Sequence, residues 1–373
     1  MLGQILSQSE FYERLSESYD QMISWPTRFG IESSFFKKLI NDYKLRSSLD
    51  VACSTGFHVV LLRRMGVDAI GIDASPGMIA KARSNAIACG VNVECILGDM
   101  NRISKRFSEG FDIVTCLGNT LPHLKDNNVV KHILSEIYKC LNPGGLFVIQ
   151  VHNYDHIIKN KIRFLPPSGT QNGGEEILFF RVLDFYPKSV TLSVVKHHRH
   201  ENKWDMTVHS TQLYPHYKKD LENFLKLVGF KTFHCYRNFD FEDYHTTGRN
   251  LIIVAQKQGS LKPRTARSTI NYTLNPSNRI LSKPQAHPQT ARKPRSKAGV
   301  ISPDGTKTIS KSLTKPSSYK STPVKLRRPV GTPSESTKKT PQTKAVASKT
   351  RKPLGSPTSA KKAKPTKSSK RLK

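Results

Sequence analysis

Ser47-Ser48-Leu49-Asp50-Val51-Ala52-Cys53-Ser54-Thr55-Gly56 is the stretch on which the fold turns. An apolar run closed by small residues reads as a buried strand entering a tight turn, and residues 57–65 behind it have helical spacing. The same unit recurs. Residues 68–74 form a second strand, and 76–89 a second helix with Ser75 as its cap and Pro76 in its first turn. Strands follow over 93–97 and 111–117, then a helix over 127–141 stopped by Pro143-Gly144-Gly145, then a fifth strand over 146–151. Strands alternating with helices at this spacing need right-handed crossovers, so the expected fold is α/β, a doubly wound, mostly parallel sheet covered on both faces.

Beyond Asn153 the period changes from helical to alternating over 177–186, 189–200 and 203–213, which predicts an antiparallel meander inserted after the fifth strand. An amphipathic helix over 218–228 and strands over 230–236 and 251–256 then return to the first sheet. Residues 1–46 are expected to form a helical lid, 47–257 the main domain with 153–213 as its insertion, and 258–373 a disordered tail. Charge supports that last cut. The 373 residues carry a net charge of +32, and the segment 258–373 holds 29 Lys and Arg against only Asp304 and Glu335, which leaves +5 for residues 1–257. So basic and aromatic-poor a segment cannot bury enough apolar surface to offset the entropy of ordering it.

No stretch is apolar for the roughly 18 residues of a membrane span, and the N-terminus lacks a basic-then-apolar leader. Cysteines at 53, 89, 95, 116, 140 and 235 form no C-x-x-C pair, so neither a disulfide framework nor a metal site is expected, and the cytoplasm is the expected compartment.

In open parallel sheets ligands bind beyond the carboxyl ends of the strands. The first strand ends in the small-residue turn Ala52-Cys53-Ser54-Thr55-Gly56, which lets a ligand approach the backbone. The second ends in Asp73, about 20 residues on, the spacing at which a carboxylate accepts ribose hydroxyls. Asp99-Met100 ends the third and Leu117-Gly118-Asn119 the fourth. Neither a phosphate-loop Gly-Lys-Ser/Thr nor G-x-G-x-x-G is present, so a nucleoside without phosphates fits best.

At these residues the chain resembles the class I S-adenosylmethionine-dependent methyltransferases, and within them the glycine N-methyltransferase group. The matching stretches are Leu49 to Cys53, Ile72-Asp73-Ala74-Ser75, Cys116-Leu117-Gly118-Asn119 with His123-Leu124, Asn142 to Gly145, Asn153-Tyr154-Asp155, and Tyr214-Pro215-His216. The resemblance covers residues 19–257. It implies S-adenosyl-L-methionine as cofactor, with Asp73 on the ribose and Asp99 and Met100 at the adenine. Ala52, Ser54 and Leu117 would lie along the methionine part, and Arg28 at its carboxylate. It further implies a lid near residues 19–28 and an acceptor pocket with Asn119, His152 and Tyr214, where His123 and His152 are candidate acid/base groups. Two departures stand out. Ser54 replaces a glycine of the family's turn, and His152, in Gln150-Val151-His152-Asn153, replaces an arginine that grips the acceptor's carboxylate. An imidazole cannot make the bidentate, permanently charged contact of a guanidinium.

The implied reaction is in-line displacement of a methyl group onto a small-molecule amine, in which alignment at near-attack distance does most of the work. Two other readings stay open: a methyltransferase of protein or nucleic acid, and a catalytically inactive, chromatin-like DNA- or RNA-binding protein. The dispersed lysines and arginines of 258–373 predict salt-sensitive, sequence-indifferent binding of nucleic acid and thereby a nuclear or nucleoid address.

Overall fold

The computed structural model describes residues 4–262 except 108, 173 and 202. The expected disorder of 258–373 therefore falls almost wholly outside the described residues. The chain opens with a two-residue strand, β1 (Ile5–Leu6), and three helices, α1 (Gln8–Leu15), α2 (Tyr19–Ile23) and α3 (Trp25–Tyr43). Ser7 caps α1 by accepting the Glu10 N–H, and the Glu10 carboxylate accepts the Ser7 N–H in return, a reciprocal pair that satisfies two backbone donors.

Alternation then begins: β2 (Ser47–Val51), α4 (Phe57–Arg64), β3 (Asp68–Asp73), α5 (Pro76–Ala88), β4 (Glu94–Leu97), β5 (Phe111–Cys116), α6 (Asn127–Cys140) and β6 (Leu141–His152). Every residue of β2 and of β5 is buried, as central strands covered on both faces must be. Leu49 and Val51 pack toward α6. Ile113 and Val148 pack instead toward α3 and α4. After β6 come α7 (Tyr154–Lys159), β7 (Phe164–Asn172), β8 (Glu175–Tyr186), β9 (Ser189–His200), β10 (Lys203–Leu213), α8 (Lys218–Val228), β11 (Thr232–Tyr236) and β12 (Asn250–Gln256).

The main sheet has the order β11-β12-β6-β5-β2-β3-β4, parallel from β6 to β4, with β12 antiparallel to β6 and β11 antiparallel to β12. The second sheet runs β1-β10-β9-β8-β7. It is larger than the three-stranded meander expected from the sequence. β7 escapes the alternation rule because Pro166-Pro167 interrupt it, and its pairing with β8 shifts register there, between Leu165 and Ser168. β1 is too short to show a period. It pairs parallel to β10, Ile5 opposite Ser210, so the N-terminal segment is not wholly helical. The fifth parallel strand is also longer than the expected 146–151, because pairing with β5 already begins at Leu141 opposite Phe111.

Phe11, Leu15 and Met22 from α1 and α2 share one small core with Met78 of α5 and with Ile177, Phe179 and Val194 of the second sheet. That core fixes the N-terminal helices above the strand ends.

Candidate active site

The main sheet reverses its order between β2 and β5, and beyond the carboxyl ends of these strands lies a cavity of about 280 Å³. Arg28, Ala52, Ser54, Asp73, Asp99, Met100 and Leu117, the seven residues singled out at the strand ends and on the lid, all line it. Tyr12 of α1 and Tyr19 of α2 line it from the N-terminal side.

The turn after β2 is held in an unusual backbone. Ala52 has φ 58° and Ser54 φ 52°, both in the left-handed region that costs a residue with a Cβ on the order of 1 kcal/mol or more. Asp73 is what secures it. Its Oδ2 accepts the Ser54 N–H at 2.9 Å and its Oδ1 the Ser75 N–H at 2.9 Å. Burial pushes the Asp73 carboxyl up, and the N–H groups of Ser75, Ser54 and Ala74 work against that rise. The Ser54 hydroxyl donates to Met78 Sδ at 3.4 Å. Asp99 Oδ1 accepts the backbone N–H of Asn101 at 2.9 Å, and the Asn101 amide donates to both its oxygens at 2.7 and 2.8 Å.

Arg28 is set by a buried chain of charges that the sequence did not suggest. Its Nε donates to Glu32 Oε1 at 2.6 Å, and its guanidinium carbon stands 4.2 Å from the centre of the Phe57 ring. His58 Nε2 lies 2.9 Å from Arg28 Nη2 and 2.8 Å from Glu32 Oε2, while its Nδ1 is 3.8 Å from Asp50 Oδ2. Asp50 in turn accepts the Thr115 hydroxyl at 2.6 Å. The one available signal was the four-residue spacing of Arg28 and Glu32 on a helix. His58 read as an ordinary helix position.

The residues expected around an acceptor gather behind the wall that Gly118 and Thr120 present to the cavity, and none of the four lines the cavity itself. Asn119, at φ 68°, sends its side chain inward: Nδ2 donates to Tyr154 Oη at 3.0 Å and Oδ1 accepts the His152 N–H at 3.0 Å. His123 Nε2 lies 2.9 Å from Tyr12 Oη, which puts it one hydrogen bond from the cavity, and its Nδ1 is buried with no partner. Burial holds His123 at about 4 and, with the Arg181 charge, His152 at about 4, so both imidazoles are neutral at pH 7. Tyr214 donates its hydroxyl to Gln212 and its N–H to Pro122 O at 2.6 Å, next to His123. Burial raises the Tyr12 hydroxyl well above its ordinary range.

Among the described residues no group of three or more His, Cys, Asp and Glu is arranged to hold a metal ion, and no helix is long and apolar enough to cross a membrane. All six cysteines are free thiols.

Comparison with known proteins bears on this site. A family model described as a methyltransferase domain matches residues 49–145, from β2 into β6. The chain is 28% identical over 255 residues to a glycine/sarcosine N-methyltransferase of Aphanothece halophytica, a match that covers 67% of this chain and 91% of that protein. It is 33% identical over 152 residues to a glycine/sarcosine N-methyltransferase of Parasynechococcus marenigrum, covering 41% of this chain and 54% of the relative. Among solved structures, an S-adenosylmethionine-dependent methyltransferase from Clostridium acetobutylicum aligns with a TM-score of 0.55 at 15% identity, over 66% of this chain and 99% of its own. With the sheet order and the strand-end cavity, these likenesses make the chain a class I methyltransferase that uses S-adenosyl-L-methionine. Its similarity to named proteins is greatest, among these, to the glycine/sarcosine N-methyltransferases.

Proposed function

We propose that this enzyme methylates a small-molecule amine. The observation that carries the cofactor end of this reading is the donor set of the cavity: carboxylates at the ends of β3 and after β4, a guanidinium at the lid and no lysine among the lining residues. That set fits a nucleoside joined to an amino acid and not a nucleotide. Asp73 would accept the ribose hydroxyls on the lone pairs its backbone partners leave free, Asp99 and Met100 would meet the adenine, and Arg28 the carboxylate. Ala52, Ser54 and Leu117 would border the methionine chain. Bound there, S-adenosyl-L-methionine supplies a methyl group on a sulfonium, open to in-line displacement. The chain's part is alignment and exclusion of water. Tyr12 and Tyr19 close the cavity on the side of the second sheet, and Asn119 orders His152 and Tyr154 behind it. His123 holds Tyr12 by a hydrogen bond at the edge of the cavity, and at about 4 its imidazole is too weak a base to take a proton from the acceptor at pH 7. The names of the relatives favour an amine as acceptor.

Calorimetry of the full chain with S-adenosylmethionine tests the cofactor end. Asp73→Ala leaves the Ser54 and Ser75 N–H groups without their carboxylate as well as removing the ribose contact, and should weaken binding by at least 100-fold. Unchanged affinity would remove the assignment. Transfer of labelled methyl into a cell extract, fractionated into small molecules, protein and nucleic acid, tests the acceptor class.

A second activity rests on the +27 charge of residues 258–373. We propose that this segment binds nucleic acid without sequence preference and holds the enzyme beside a polyanion. Affinity for DNA should fall steeply with salt. A chain ending at residue 257 that binds DNA as tightly as the full one would reject it.

A further inference from the structure

His58 of α4 lines the strand-end cavity beside Arg28, yet only 5% of it is exposed and its ring meets charged groups from two other elements. From α3, Arg28 Nη2 stands 2.9 Å from its Nε2, and Glu32 Oε2 stands 2.8 Å from the same atom. From β2, Asp50 Oδ2 faces its Nδ1 at 3.8 Å, and the charge of Asp73 on β3 acts on Asp50 in turn. The rings of Phe36 and Phe57 flank the imidazole and bring no charge.

The two partners of Nε2 make opposite demands. A guanidinium only donates and a carboxylate only accepts, whereas a ring nitrogen holds either one proton or one lone pair. With a proton, Nε2 serves Glu32 and confronts an Arg28 N–H; without one, it serves Arg28 and confronts a carboxylate. Asp50 Oδ2 is also buried without a hydrogen bond. Burial pushes the Asp50 carboxyl up, and the nearness of His58 works against that rise. Two buried carboxylates thus share one arginine, and buried charge is costly unless it is paired. The doubly protonated ring answers both carboxylates, Nε2 to Glu32 and Nδ1 to Asp50, provided that Arg28 Nη2 has another acceptor. Arg28 borders the cavity, where such an acceptor can reach it.

We propose that His58 is a positioning residue for the cofactor's amino-acid end: as a carboxylate in the cavity takes Nη2 of Arg28, His58 takes up a proton from solvent and holds Glu32 and Asp50 as an imidazolium. The inference rests on the placing of that carboxylate at Arg28 in the reading above and deepens it. The proton balances the negative charge that the carboxylate brings into a buried cluster. An imidazole is the group suited to this, because it exchanges a proton near neutral pH where a guanidinium does not. Binding coupled to proton uptake weakens as pH rises, by up to about tenfold per pH unit for one proton.

The test is calorimetry of the full chain with S-adenosylhomocysteine and with 5′-methylthioadenosine, which lacks the amino-acid end, in phosphate and in Tris, whose heats of ionisation differ. At pH 7.5 the wild type should take up on the order of half a proton more with S-adenosylhomocysteine than with 5′-methylthioadenosine. Its affinity for S-adenosylhomocysteine should fall about 3- to 10-fold from pH 6.5 to 8, with that for 5′-methylthioadenosine unchanged. His58→Gln should bind S-adenosylhomocysteine on the order of 10-fold more weakly at pH 6.5, with neither the extra uptake nor the pH slope. Equal uptake for the two ligands in the wild type, or extra uptake that survives in His58→Gln, overturns the proposal. Should His58→Gln bind neither ligand, Glu32→Gln decides: with one carboxylate fewer its extra uptake should drop, and an undiminished uptake overturns the proposal. Arg28→Gln separates this inference from the reading beneath it. A loss confined to S-adenosylhomocysteine, in a chain whose wild type takes up no extra proton, leaves the carboxylate at Arg28 and removes the role of His58. An equal loss on both ligands removes the placing of the carboxylate, and the role of His58 with it.

Discussion

Glu32→Gln removes one charge and almost no volume from the chain that sets Arg28. Glu32 is 3% exposed, and its two oxygens face Arg28 Nε at 2.6 Å and His58 Nε2 at 2.8 Å. Burial alone would raise its carboxyl, but the charge and hydrogen bond of His58, and then those of Arg28, outweigh burial and hold it at about 2, against 4.5 for a free glutamate. At about 1.4 kcal/mol per unit, that depression corresponds to about 3 kcal/mol of folding stability. Because the folded value lies below the unfolded one, the contribution is complete above pH 4.5 and is lost as pH falls toward 2. The Gln variant should therefore melt about 6 to 12 °C lower at pH 7.5, taking about 2 to 4 °C per kcal/mol for a domain of this size. The deficit should shrink to less than about half by pH 3. It should also bind S-adenosylmethionine more weakly, since Arg28 lines the cavity. Thermal unfolding followed by circular dichroism from pH 7.5 to 3 gives the answer. A melting point within about 2 °C of wild type at pH 7.5, or a deficit that does not change with pH, refutes the account.

Three other outcomes follow from the same geometry. Because His123 and His152 are held neutral down to about 4 while unfolded histidines protonate near 6.5, they subtract stability as pH falls from 6.5 to 4. A His123→Gln, His152→Gln chain should lose less stability over that interval than wild type, and an equal slope would show that these imidazoles are not buried neutral. For the same reason kcat/KM should show no inflection from either histidine between pH 6 and 9, and a midpoint near 6.5 that moves in His123→Gln would contradict it. Ser54→Gly relieves a left-handed φ at a cost in unfolded-chain entropy of similar size, about 1 kcal/mol each way, so melting should move little while cofactor affinity rises several-fold; weaker binding on calorimetry would show that the Ser54 hydroxyl is itself a ligand contact.

What could be read from sequence was what repeats. β2 and β5 announce themselves as continuous apolar runs because both faces of a central parallel strand are buried. The six residues just past the strand ends followed from topology and Arg28 from the family resemblance, and all seven line one cavity. What could not be read depends on contacts between distant segments. Tyr12 meets His123 across 111 positions, and Asp50, Glu32 and His58 make sense only once α3 lies over α4. β7 was hidden by its prolines.

The pairing of β1 with β10 has a consequence for how the enzyme comes into being. Leu6 O accepts the Thr211 hydroxyl across 205 positions, and the small core of α1 and α2 needs Phe179 and Val194. Residues 5–22, made before the parallel strands, must therefore wait for β8 to β10, made after them, before they find their place. Until residues 177–211 have emerged, α1 and α2 lack the half of their packing that the second sheet supplies, and Tyr12 and Tyr19 are held over the strand ends only by contacts such as those with His123 and Met78. Domains otherwise tend to settle from the N-terminus during synthesis. Here the roof of the active site is made before the strands it covers and is fully fitted only after them.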